Sequence, residues 1–296
     1  MKRLTGRLRS LLEQWRYAHL EATSVRTGPW SLAETTKIFY IFGVVAISLI
    51  LQEYFGGPDT FSQIASFIDN PASPEQNPVL WFLVGWLKPD GESFILSLDR
   101  NGYWELCNLV YWASWRVLGF GAIPVVAVLV YPGMRLRDSG LGVKGLLSHL
   151  WIYGVLFVPV LIAVIIVSYS EEFSSYYPFY SESTRSRFDF LIWEAFYVAQ
   201  FLSLEFFFRG FMIQPLRKIL GYGAIPAMMI PYVMIHFGKP LPECFAAIIA
   251  GFVLGLLAML TRSIWGGFII HVGVAISMDV AANLQKFGLP WLESLF

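Results

Sequence analysis

Long apolar runs separated by short polar breaks occupy most of the chain. A membrane-crossing helix needs roughly 20 mostly apolar residues. Seven runs come near that length: approximately Thr36–Gln52, Trp104–Tyr131, His149–Ser168, Phe188–Met212, Tyr222–Phe237, Glu243–Leu260 and Ile264–Ala282. An eighth stretch, Val79–Leu98, is interrupted by Lys88, Pro89, Asp90 and Gly91, and reads as a short hairpin, an interfacial helix or a re-entrant piece. The pattern predicts an all-α fold, a polytopic transmembrane helix bundle of about seven to eight spans. Ahead of the first run, Leu4, Leu8, Leu11, Leu12 and Trp15 recur among basic residues. That spacing suits an amphipathic helix lying on the membrane surface; the other reading is a disordered basic tail. The first apolar run is too long and too late for a cleavable signal peptide.

Composition agrees with the pattern. Of 296 residues, 56% are hydrophobic and 14% charged, against about 25% charged in soluble domains. The net charge of zero leaves no footprint for nucleic acid. Cys107 and Cys244 fall in apolar stretches and read as small buried hydrophobes, not as a disulfide or a metal site. The few charges set the topology. Lys2, Arg3, Arg7, Arg9, Arg16 and Arg26 precede the first span; Arg135, Arg137 and Lys144, then Arg217 and Lys218, then Arg262 mark later loops on the same side. The positive-inside rule makes that side cytoplasmic. The acidic Glu53–Arg100 loop and the Glu171–Arg187 loop fall on the other side. The chain thus divides into a basic cytoplasmic segment (1–35), an N-terminal membrane region with an acidic external loop (36–135) and a membrane core (136–296). In a bacterium the membrane would be the inner one.

Ionisable side chains inside spans cost about 2.5–3.5 kcal/mol each at a helix centre, which makes them candidates for function. The fourth run holds Glu194, Glu205 and Arg209. Glu205 and Arg209 share one helix face within ion-pair reach, and Glu194 is expected near the outer interface. His236 closes the fifth run and His271 lies in the seventh. A carboxylate and two imidazoles can activate water and stabilise an oxyanion, ligate a metal or relay protons in a transporter. Gly251, Gly255, Gly266, Gly267 and Gly273 allow close helix approach, and Pro226 and Pro231 are expected to kink the fifth span beside His236.

In order, Glu205-Phe-Phe-Phe-Arg209-Gly210-Phe211, Tyr232-x-x-x-His236 and His271 resemble the signature of the CPBP (CAAX protease and bacteriocin-processing, or Abi) intramembrane proteases: Glu-Glu-x-x-x-Arg, Phe-x-x-x-His and His-x-x-x-Asn/Asp. The resemblance covers about Leu136 to Asn283. It implies a glutamate-dependent, cofactor-free endopeptidase acting on a membrane-embedded or membrane-associated protein in the lipid bilayer, with no metal ligand set. Glu205 and His236 would activate water, His271 would stabilise the oxyanion and Arg209 would hold Glu205. Two positions depart from the signature: Leu204 stands where its first Glu is expected, and Ala275 where its Asn or Asp is. Adjacent helical residues differ by about 100° of rotation, so Glu205 replaces the missing acid only if the helix turns. Ser277 or Asp279 could supply the missing polar group. A catalytically inactive member that binds a membrane partner as a scaffold is the alternative, and a relay in a transporter is a third.

Overall fold

A computed structural model describes residues 2–24, 28–70, 82 and 93–288. Among them the regular elements are all helical. In chain order they are α1 (Lys2–Thr23), α2 (Leu32–Phe55), α3 (Pro58–Asp69), α4 (Phe94–Arg100), α5 (Trp104–Val117), α6 (Ile123–Val130), α7 (Lys144–Val167), α8 (Glu171–Tyr176), α9 (Arg187–Glu205), α10 (Gln214–Leu220), α11 (Ala224–Met234), α12 (Leu241–Thr261) and α13 (Trp265–Phe287). Two π-helical segments, Leu118–Ala122 and Phe206–Ile213, join α5 to α6 and α9 to α10 without a break. The Leu4–Arg16 stretch lies within helix α1. Most of Val79–Leu98 lies outside the described residues, and its end enters α4.

Six helical stretches among the described residues are long and apolar enough to cross a membrane, where seven were expected. The difference lies in the fourth, Arg187–Met234, which takes in Phe188–Met212 and most of Tyr222–Phe237. Gly221, at φ 55°, and the short 3-10 turn Gly221–Gly223 reverse the chain there. As a result Phe208 meets Tyr232 edge-on at 5.3 Å. The returning helix α11 has 11 residues, about 16 Å, roughly half the hydrocarbon thickness. It leaves His236 in a turn before α12. The molecule is a multi-pass membrane protein whose exposed surface is rich in Leu, Ile, Val and Phe along α2, α7 and α12, as a bundle facing lipid requires.

Local signals explain several boundaries. Ser31 caps α2 reciprocally with Glu34, the Ser31 hydroxyl accepting from the Glu34 amide and the Ser31 amide donating to Glu34 Oε2 at 2.8 Å. Ser186 caps α9 with its hydroxyl, which accepts from the Asp189 amide at 3.2 Å. The central core forms where the two π segments meet. Phe120 contacts Phe207 at 5.0 Å and Phe208 at 5.7 Å, and all eight residues of Phe206–Ile213 are buried. Polar ties close the end expected outside: Tyr177 donates to Glu243 at 3.0 Å, Ser181 donates from its amide to Glu105 at 2.9 Å, and Tyr180 donates to Asp189 at 2.9 Å.

Candidate functional site

Glu205 ends α9 and Arg209 lies one turn on, inside the π segment. Both side chains are fully buried, with Arg209 Nη1 3.1 Å from Glu205 Oε1. This contact is one of charge more than of alignment, since Arg209 Nε, Nη1 and Nη2 and Glu205 Oε2 all lack a hydrogen-bond partner. The guanidinium instead lies over the Tyr232 ring, 4.2 Å from its centre, a cation–π contact strengthened by the dry surroundings.

From α13, His271 donates from Nδ1 to Glu205 Oε1 at 2.6 Å. Its Nε2 lies 2.8 Å from the Tyr232 hydroxyl, and Phe201 stacks on its ring at 5.8 Å. Gly267, one turn earlier on α13, makes this approach possible. A Cβ there would stand 2.2 Å from Glu205 Oε2. His271 is the more open member of the pair, its side chain 15% exposed against 0% for Glu205.

His236 is half-buried. It turns Nδ1 to the Tyr232 carbonyl oxygen at 2.8 Å and meets the Tyr232 ring at 4.8 Å. Tyr232 therefore touches Arg209, His236 and His271. The expected residues Glu205, Arg209 and His271 meet directly; the contact made by Glu205 is with His271, and His236 joins through Tyr232. Tyr232 is the member that sequence reasoning passed over, read there only as a motif position. A hydroxyl four residues before an intramembrane histidine was the available signal.

The two departures are held in apolar packing. Leu204 packs in the core with Phe120, Phe207 and Phe208, and Ala275 packs with Trp193, Tyr197 and Tyr180. Asp279 does not reach the site. It accepts from the Phe179 amide at 3.1 Å and from Trp193 Nε1 at 3.2 Å, tying the outer cap to α13. Ser277 donates to the Gly273 carbonyl at 2.6 Å. Glu194, expected at an exposed interface, is 8% exposed with both oxygens unpartnered. Cys107 and Cys244 are free thiols, both half-buried. Among the described residues no group of three or more His, Cys, Asp and Glu stands close enough to hold a metal ion.

The fold and site define a multi-pass helical membrane protein with a buried ion pair and two partly buried imidazoles beside it. Residues 186–277 match the family model described as type II CAAX prenyl endopeptidase, Rce1-like. The matched segment runs from the cap of α9 into α13 and contains Glu205, Arg209, Tyr232, His236 and His271. It agrees with the resemblance to the CPBP membrane proteases. No curated protein and no solved structure matches the chain.

Proposed function

We propose that the protein is an intramembrane endopeptidase that hydrolyses a peptide bond of a membrane-embedded or membrane-associated protein with an activated water. The observation that carries this reading is the 2.6 Å contact of Glu205 with His271 beside Arg209. Burying these groups among membrane spans costs several kcal/mol, a cost that packing alone gives no reason to bear.

The hydrogen bonds support a division of roles. His236 donates from Nδ1 to a backbone carbonyl, which leaves Nε2 as its basic nitrogen. That nitrogen takes the proton of the attacking water. Glu205 and Arg209 cancel in charge, and the Glu205 carboxylate holds His271 by Nδ1. A His271 protonated on Nε2 as well donates to the Tyr232 oxygen, which frees the Tyr232 O–H to donate to the developing oxyanion. The centre then carries one excess positive charge, which the oxyanion neutralises. Glu205 is fully buried, so its part is to position and charge His271. Proton return from His236 to the leaving amine completes the hydrolysis with no group consumed but water.

A membrane peptide ending in a prenylated cysteine motif is the first substrate class to test, from the description of the matched family. Protein reconstituted in vesicles should cleave it, and Glu205→Gln, His236→Ala and His271→Ala should each lower kcat/KM by about a hundredfold or more. Wild-type levels of product from all three variants would sink the proposal. The second reading, an inactive partner-binding protein, is favoured by the burial of Glu205 and by the packing of Leu204 and Ala275. It predicts no turnover by the wild type and partner retention unaffected by the three substitutions.

A further inference from the structure

At the basic end of the bundle, away from the Glu205 centre, the chain builds a second polar site. Arg217 of α10 is side-chain buried to 9% exposure. Its Nε donates to Gln214 Oε1 at 3.1 Å, and Gln214 is fixed in turn by donating to the Ala258 carbonyl at 2.9 Å. Arg262, just after α12, points at the same place. Each arginine contacts one oxygen, Glu21 Oε2 of α1, at 2.7 Å. Arg262 is the one non-glycine residue with positive φ (53°) among the described residues. Glycine or asparagine is the usual occupant of such a helix end, so an arginine is retained there at a conformational cost. A cavity of about 260 Å³ opens beside the pair, and Arg137 and Lys218 line it as well.

A buried, pre-set arginine, a second arginine held in a costly conformation and two further cations make an anion site. The carboxylate of Glu21 fills only one corner of it. Counting the lining, Arg137, Arg217, Lys218 and Arg262 outweigh Glu21 and Asp138 by two charges. A smaller recess continues it to Lys37 and Arg135 across the shared Asp138 and Lys218. Lys37 belongs to the first turns of α2, and Arg217 and Lys218 to α10, just before the chain reverses at Gly221, so the site sits at the level where spans meet lipid headgroups. We infer that this cavity binds the phosphate of an anionic phospholipid headgroup, with Glu21 of α1 as an internal competitor for its two arginines.

The test uses the full chain in neutral detergent, with bound lipid measured by mass spectrometry of the intact complex. Phosphatidylglycerol should be retained in preference to zwitterionic phosphatidylcholine. Arg137→Ala and Lys218→Ala should each weaken that retention about fivefold, since a basic residue near an anionic surface contributes on the order of 1 kcal/mol. Glu21→Gln should strengthen it by removing the competitor. Equal retention of the two lipids, or unchanged retention in the double variant Arg137→Ala/Lys218→Ala, would overturn the inference. So would inorganic phosphate that displaces phosphatidylglycerol at equimolar concentration, which would make the ligand a soluble phosphate. Circular dichroism and an elution profile matching the wild type certify the fold of each variant, and none of these residues belongs to the Glu205 centre.

Discussion

At the scale of single residues, the site is distinguished by Tyr232. Its ring supports Arg209 and its hydroxyl meets His271 Nε2 at 2.8 Å. Removing that oxygen keeps the ring and its packing, so Tyr232→Phe should fold normally, lower kcat by roughly a hundredfold and leave KM nearly unchanged, as loss of one oxyanion donor does. Steady-state kinetics on the reconstituted protein would show it, and an unchanged kcat would remove Tyr232 from the chemistry. Leu204 invites the opposite experiment. Restoring the acid of the signature by Leu204→Glu looks like a repair on paper. Leu204 is 6% exposed among Phe120, Phe207 and Phe208, so the new carboxylate would be buried without a partner. The substitution should destabilise the protein by about 3 kcal/mol or more without raising activity. A gain in turnover with unchanged thermal stability would contradict the packing described above.

Helices bring these residues together through close approach. Gly266 and Gly267 present backbone where α13 crosses its neighbours: a Cβ at Gly266 would stand 1.9 Å from the Tyr153 ring, and one at Gly267 would stand 2.2 Å from Glu205 Oε2. The carboxylate is the far end of a flexible side chain, but it is held by His271 and Arg209. Gly267→Ala should therefore act on catalysis more than on stability, lowering kcat by roughly tenfold to a hundredfold through displacement of His271. Comparing kcat with the midpoint of thermal unfolding separates the two effects. Helix α1 is held differently, by polar ties at its end: Trp15 donates to His149 Nε2 at 3.1 Å, His19 meets the Tyr222 hydroxyl at 2.9 Å, and Glu21 meets its two arginines. Burial alone would raise the Glu21 carboxyl, but Arg217 and Arg262 outweigh it and hold the group below its ordinary value of 4.5. A depressed carboxylate stabilises the docked helix above that ordinary value, and the contribution is lost as the pH falls below 4.5 and through the depressed value. Hydrogen exchange of residues 12–23 should accelerate in that acid range. Glu21→Gln should lack this step.

For the whole molecule, the apolar runs were legible in the chain because lipid imposes a length rule on any spanning helix. Six of the helical stretches among the described residues are long and apolar enough to satisfy it. The short helix α11 was not legible as such. Tyr222–Phe237 has the composition of a span, and only the reversal at Gly221 and the turn at His236 show that its helical part has 11 residues, about half of what a spanning helix needs. Burial on the outer side was equally hidden. Glu194 reads as interfacial from its place in the run, yet it is 8% exposed, and the segment of Phe179, Tyr180 and Ser181 is tied down by Asp279, Asp189 and Glu105.

The sequence by itself determined a multi-pass helical bundle and named Glu205, Arg209, His236 and His271 as residues too costly to be idle. Periodicity fixes which face of its own helix a residue occupies, but it says nothing about which neighbour that face will meet. Even the facing is lost where Phe206–Ile213 leaves α-helical phase for a π turn. Tertiary structure alone decided that Glu205 meets His271, that Tyr232 touches both imidazoles, one through its hydroxyl and the other through its carbonyl and ring, and that Leu204 and Ala275 belong to apolar clusters. Those outcomes depend on packing between spans far apart in the chain, and that packing is settled by the small residues and reversals that set how closely the helices approach.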